Sequence, residues 1–455
     1  MLQDSTEKKT PYFMIAILFF GAFVSFLNNS LLNVALPTIA ANFDKEISTV
    51  QWLATGYMLV SGVLIPVSAF LITRFKNRHL FLASMALFTI GTAMAAFASS
   101  FEFLLAGRMV QAAGSAAMGP LLMNVMLVSF SREKRGAAMG IFGLVMITAP
   151  AIGPTLSGYI VQYYDWRVLF EMILPFAVIS LALGAWKLQN IMETRKATID
   201  YLSVALSIVG FGGLLYGFST ASTAGWTDTV VLTSIIGGAL GIVWFGVRQL
   251  RLEEPLLDLR VYKYPMFALG SVISMVNAAA MFSGMILTPM YVQNVRGISP
   301  LDSGLMMLPG AVIMGIMSPI TGKLFDKFGP RALAFIGLAI TAYSTYLLST
   351  LDLESTYAFI IGIYTIRMLG MSMVMMPIMT NGLNQLPTRL NPHGTAVNNT
   401  VQQVVGSVGT ALFVTLMTTV ATNKATDAVM AAGGKVTDLS LIHISEPTRR
   451  RGISY

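Results

Sequence analysis

Arg108 and Arg367 each stand inside a long apolar run. Amides gather in two other runs: Asn28, Asn29 and Asn33 within FLNNSLLNVALP (26–37), and Asn398, Asn399, Gln402 and Gln403 near the end. A guanidinium in such a run is costly to bury and must face protein or water. It serves either as a functional cation or as a structural arginine bonded to carbonyls near a helix end. Gln111 lies one turn from Arg108 on the same helix face, which favours function there. Amides bond cargo, water or a neighbouring helix, but they do not titrate. Asn29 and Asn33 share a helix face, and Asn28 is rotated about 100° from it. The amides therefore suit a polar cavity or interhelical bonding and cannot carry a proton. No Asp or Glu occupies the middle of an apolar run. The nearest are Glu102 and Glu171, the latter four residues from Arg167 and placed for an i,i+4 pair.

Other chemistries lack their residues. There is no cysteine, and the three histidines (His79, His393, His443) are scattered, so no metal site and no thiol nucleophile is expected. No HExxH, GxSxG or Cys–His arrangement points to an enzyme. Gly434-Lys435 is followed by Val436, so no phosphate-binding loop supports an ATP-driven pump.

The elements that carry these residues follow from composition. The 455 residues are 55% hydrophobic and 11% charged, with a mean hydropathy of +0.70, where soluble domains carry about 25% charge. Thirteen segments are long and apolar enough to span a bilayer: 12–36, 50–72, 79–100, 103–128, 136–160, 168–188, 201–220, 229–248, 266–290, 302–322, 331–350, 356–380 and 395–420. Lipid leaves helices as the form in which they satisfy their own backbone. The first is too long for a signal peptide and reads as a retained span. Nineteen Lys and Arg fall on the even-numbered loop side and five on the other, which predicts a cytoplasmic N-terminus. The net charge of +8 is thus a topology signal. A nucleic-acid partner would need those bases on one folded face. The tail LSLIHISEPTRRRGISY (439–455) begins with eleven residues that read as a translated sequencing adaptor, and it is set aside as non-native. An odd span count then predicts truncation before a last span.

The chain repeats itself. Pro66–Arg78 (PVSAFLITRFKNR) matches Pro319–Arg331 (PITGKLFDKFGPR) at an offset of 253. GRMVQ around Arg108 matches IRMLG around Arg367 at 259, and KRGAAMG around Gly136 matches PHGTAVN around Gly394 at 258. The repeat pairs spans 1–6 with span 9 onward, leaving spans 7 and 8 unmatched. The predicted organisation is a six-helix bundle (1–190), two central helices with their loops (191–264), a second bundle with five of six spans (265–438), and the tail. Such halves face each other across a cavity near the midplane.

These motifs resemble the major facilitator superfamily, in its fourteen-span drug:proton antiporter branch, over about residues 11–438. LNNSLLNVALP (27–37) is similar to that branch's first-span signature, with Asn28 where the branch has an acid. Gln51, Trp52, Tyr57 and Pro66 fit its second span. The cytoplasmic loop motif is whole in GKLFDKFGPR (322–331) and degraded in AFLITRFKNR (69–78), where Thr73 replaces the acid. RMVQAAGSA (108–116) has Ala112 for a glycine. The antiporter motif runs through Gly140, Ala149, Gly153, Pro154, Ser157 and Gly158.

The resemblance implies two six-helix bundles, two central helices and a monomer in the cell membrane. It implies export of amphipathic, often cationic, compounds by alternating access. The proton gradient would drive it, with no cofactor; a narrow-cargo exporter of a metabolite, peptide or lipid-like molecule is the alternative. Candidate cavity residues are Asn28, Asn29, Asn33, Tyr57, Arg108, Gln111, Arg367, Asn398 and Gln402. Asp326, with Arg331, Arg74 and Arg78, would latch the halves, Asp326 meeting either a helix N-terminus or an arginine. Gly140, Gly153, Pro154 and Gly158 would form a hinge or tight seam, or ordinary small-residue packing. Lys323 and Lys327 read as topogenic. Thirty methionines suit a pliable cavity, although most read as ordinary helix formers.

Overall fold

The computed structural model describes residues 12–192, 194, 200–352 and 354–431. The adaptor-like tail at 439–455 lies outside them. Among the described residues, thirteen helices are long and apolar enough to cross a membrane, one for each predicted segment. The first six are α1 (Tyr12–Phe43), α2 (Trp52–Arg74), α3 (Asn77–Ala96), α4 (Phe101–Ser129), α5 (Arg135–Tyr163) and α6 (Val168–Lys187). Then come α7 (Tyr201–Ala224) and α8 (Thr229–Arg251). The last five are α9 (Pro265–Met290), α10 (Pro300–Phe328), α11 (Pro330–Ser349), α12 (Tyr357–Asn384) and α13 (Asn391–Ala431).

Local chemistry sets the ends. Pro265, Pro300 and Pro330 open α9, α10 and α11, where a missing N–H costs nothing. Ser100, Asp228 and Thr356 cap α4, α8 and α12 by accepting from the first-turn amides. Inside α4 the helix breaks between Ser115 and Met118. Pro120 has no N–H to offer the carbonyl four residues back, so the break sits where the ladder is already cut.

The repeat is visible in the packing. α3 lies on α4 as α11 lies on α12, and α1 lies on α5 as α9 lies on α13. α7 and α8 form a close hairpin that leans on α2 of the first half and α13 of the second. Leu215 and Tyr216 of α7 meet Gly62 and Trp52 of α2, the two rings 5.5 Å apart. Trp226, just past α7, donates its indole N–H to the Thr415 hydroxyl on α13 at 2.6 Å. The hairpin base is held by Asp200, which accepts from Arg248 Nε at 2.7 Å and Nη2 at 3.0 Å. That pair holds the Asp200 carboxyl down to about 2.

The two halves meet most extensively along α5 and α10. This seam determines where the cavity lies.

Candidate functional site

A cavity of about 470 Å³ lies between the halves, at mid-height of the helices. α1, α2, α4 and α5 supply Asn29, Tyr57, Ser115 and Met146; α9, α12 and α13 supply Asn277, Met375, Asn399, Gln402 and Gln403. The α4 break faces this space, with Ser115, Ala116, Gly119 and Pro120 on its wall. Among the described residues no Asp, Glu, Lys or Arg lines it. The wall is therefore amide, hydroxyl, thioether and aromatic, a surface that adapts to varied apolar shapes and offers scattered hydrogen bonds.

Behind Tyr57 lies a second polar layer. The Arg108 guanidinium is fully buried with its carbon 4.3 Å from the Tyr57 ring centre. Its Nη1 donates to Gln111 Oε1 at 2.8 Å and its Nε to the Leu53 carbonyl at 3.4 Å. Gln111 donates onward to Thr92 at 2.7 Å, and Tyr57 donates to Ser115 at 2.6 Å. Arg108 Nη2 has no hydrogen-bond partner among the described residues.

The predicted cavity set thus divides. Asn29, Tyr57 and Gln402 line the space. Arg108 and Gln111 sit one layer back. Asn28 and Asn398 are buried off the wall, each with its Nδ2 lacking a partner among the described residues. Asn33 lies in α1 and Pro154 in α5, with their side chains outside the described part. Arg367 is elsewhere: it donates to the Ala280 carbonyl at 2.6 Å and lines a separate pocket between α9, α11 and α13. Sequence reasoning missed much of the wall, including the polar residues Ser30, Ser61, Ser115, Ser274 and Asn277. Asn277 is an amide in an apolar run like those of α1, and that was its signal.

The seam is shut at the basic face, the end that carries the loops after α4 and α10. Asp326 near the end of α10 accepts from the Gly136 and Ala137 amides at 2.8 and 2.9 Å, at the N-terminus of α5. These amides have no partner within their own helix, and an anion there meets the positive end of the dipole. Of the two expected partners, it is the helix N-terminus that Asp326 meets. Arg135 adds a second tie, donating Nη1 to Asn384 Oδ1 of α12 at 2.9 Å. Arg78 instead holds the Ala185 carbonyl at 2.5 Å within its own half, while Arg74 and Arg331 are exposed. So the arginines expected in the latch do not bond Asp326.

Backbone contact closes the same end. A Cβ on Gly136 would stand 2.5 Å from the Gly322 carbonyl, and one on Gly140 2.5 Å from the Ser318 carbonyl and 2.8 Å from Pro319 Cα. Higher on α5, a Cβ on Gly153 would instead strike Ser30 of α1. The small-residue motif thus serves two contacts, one across the halves and one within the first. Gly158 departs from the tight-seam expectation, since a Cβ there meets nothing within 4 Å.

The carboxylates also moved. Arg167 pairs with Asp165 at 3.4 Å and bonds the Ala98 carbonyl, in place of the expected Glu171. Asp165 already holds the Arg167 amide in one tight turn, which brings the guanidinium to it. Glu171 is exposed, and exposed Glu102 meets Lys45 at 3.9 Å.

Comparison with known proteins agrees with this architecture. The Major Facilitator Superfamily model matches residues 18–410. An MFS-type transporter of Bacillus subtilis (strain 168), YhcA, is 50% identical over 410 residues, covering 90% of this chain and 77% of that protein. The lincomycin resistance protein LmrB of the same organism is 44% identical over 424 residues, covering 92% and 88%. Among solved structures, the human organic anion transporter MFSD10 superposes with a TM-score of 0.64 at 12% identity, covering 88% and 92%.

Proposed function

Because the chain belongs to the major facilitator superfamily, we propose that it is a secondary exporter of amphipathic small molecules in the cell membrane, its N-terminus cytoplasmic, driven by the proton gradient. We place it in the fourteen-span drug:proton antiporter branch, working as a monomer. The observation that carries the reading is a mid-height cavity between two halves whose seam is shut at one end by few, breakable ties. Rocking the halves would exchange Asp326 and Arg135 contacts for water and open the basic face to cargo. Gly136 and Gly140 let α5 and α10 close again without a gap. Among the described residues the cavity wall has no carboxylate to serve coupling. Asp326 is the acid that bonds across the seam; a proton on it would weaken its charge-assisted bonds to α5 and favour opening.

Lincomycin is the first cargo to test, given the LmrB relative. In energised inverted vesicles carrying the protein, lincomycin uptake should collapse to the empty-vesicle level on adding an uncoupler. Uptake that ignores the uncoupler but needs ATP would refute the proton-driven reading. Uncoupler-sensitive uptake confined to one compound across a chemically diverse panel would favour the narrow-cargo alternative.

A further inference from the structure

We propose that the cavity sorts its cargo by charge: it takes uncharged or anionic amphiphiles and rejects permanent cations, and Arg108 sets this rule from behind Tyr57. The inference rests on the reading of this cavity as the cargo site.

Three observations carry it. First, no carboxylate lines the wall among the described residues, so a cation entering it gives up hydration and meets no opposite charge. Secondly, the full charge packed against a wall residue is positive. Arg108 is buried, stays protonated at any physiological pH, and stands in none of the ion pairs found among the described residues. It stands 4.3 Å from the ring centre of Tyr57, a wall residue, and in an apolar interior an unneutralised charge is felt across such a distance far more strongly than in water. Thirdly, the Tyr57 ring already carries that guanidinium, so a second cation brought to the ring from the cavity meets a like charge across it. What the wall does offer is amide donors and acceptors on both halves, Asn29 facing Asn277, Asn399 and Gln402 across the space. These match hydroxyl, amide and ester groups, or an anion on the amide donors. A site that repels the wrong sign gains specificity without tighter contacts to the right one.

The test uses the full chain in lipid nanodiscs and two ions of nearly equal shape and opposite sign, tetraphenylborate and tetraphenylphosphonium. Saturable binding is measured by equilibrium dialysis, with partition into empty discs subtracted. Tetraphenylborate should bind at least about tenfold more tightly, equivalent to about 1.4 kcal/mol. Arg108→Gln should bring the two ions to within about threefold, and Arg108→Lys should keep the preference. Asn29→Asp, which puts a carboxylate on the wall, should tighten tetraphenylphosphonium at least about tenfold. Phosphonium binding as tight as borate in the unmodified chain, or a preference that survives Arg108→Gln, overturns the inference and leaves the exporter reading in place. If neither ion binds saturably, the cavity is not the cargo site and both readings fall. Should Arg108→Gln fail to fold, the unmodified chain and Asn29→Asp still decide.

Discussion

The two copies of the basic loop motif began as one sequence and now do different work. In GKLFDKFGPR (322–331) Asp326 crosses the seam and caps α5. In AFLITRFKNR (69–78) Thr73 stands in the equivalent place and bonds its own helix, at the Ala69 carbonyl, 2.8 Å away. The glycines they should meet differ in the same way. Gly136 touches backbone of the opposite half, whereas a Cβ on Gly394 would meet side chains of its own half, Leu383 and Phe267. The start of α13 is held instead by the loop after α8, where the Asp258 amide donates to His393 Nδ1 at 3.1 Å. One copy of a duplicated contact can decay once a neighbouring segment takes over its place.

That contrast can be broken by substitution. Gly136→Ala should have the largest effect, because its new methyl meets a carbonyl that cannot move without parting α5 from α10. Overpacking of this kind costs about 1–3 kcal/mol, and lincomycin uptake in inverted vesicles should fall about tenfold or more. Gly394→Ala meets flexible side-chain ends and should cost less than about 1.5 kcal/mol, with uptake within about threefold. Asp326→Asn should come next: it keeps the shape and removes the charge on the α5 amides, weakening closure by about 1 kcal/mol. The reading is greater labelling, by a membrane-impermeant thiol reagent, of a cysteine placed at Ala137. Thr73→Asn should leave that labelling unchanged. Arg135→Ala should raise it by a smaller amount, since Asn384 can turn to water.

The smallest effect concerns the linker hairpin that stands in for the decayed copy. Asp200 titrates at about 2 when folded, against about 3.9 unfolded. A depressed carboxyl stabilises above its unfolded value and loses that contribution as pH falls from about 4 through 2. Thermal unfolding of the unmodified chain and of Asp200→Asn should therefore differ by a constant amount between pH 5 and 8. The two should converge only below about pH 4.

Much of the architecture was legible. Apolar length located the thirteen membrane-length helices among the described residues, and three repeat anchors foretold the paired packing of the halves. A special partner for Asp326 was legible too, because an acid in a basic loop serves no topological purpose. Side-chain direction was harder. Asn28 and Asn29 are neighbours in sequence, yet one is buried off the wall and the other lines the cavity, which depends on how α1 is turned. Arg108 packs on the far side of the wall residue Tyr57 of α2, a fact of packing with no local sequence mark. Arg367 matches it in the repeat but turns toward α9. Asn277 was missed because its counterpart at the 253-residue offset is Val24, so the repeat did not flag it. Arg135 read as one more topogenic base, and its partner Asn384 lies 249 residues away.

The central claim is that transport requires the basic face of the seam to open. The chain has no cysteine, so Arg135→Cys and Asn384→Cys can be joined by a bifunctional thiol reagent with a reducible spacer. Lincomycin uptake should then be measured in inverted vesicles before joining, after joining and after reduction. Joining should abolish uptake, and reduction should restore it. Uptake that continues at its full rate with the two sites joined would contradict the claim.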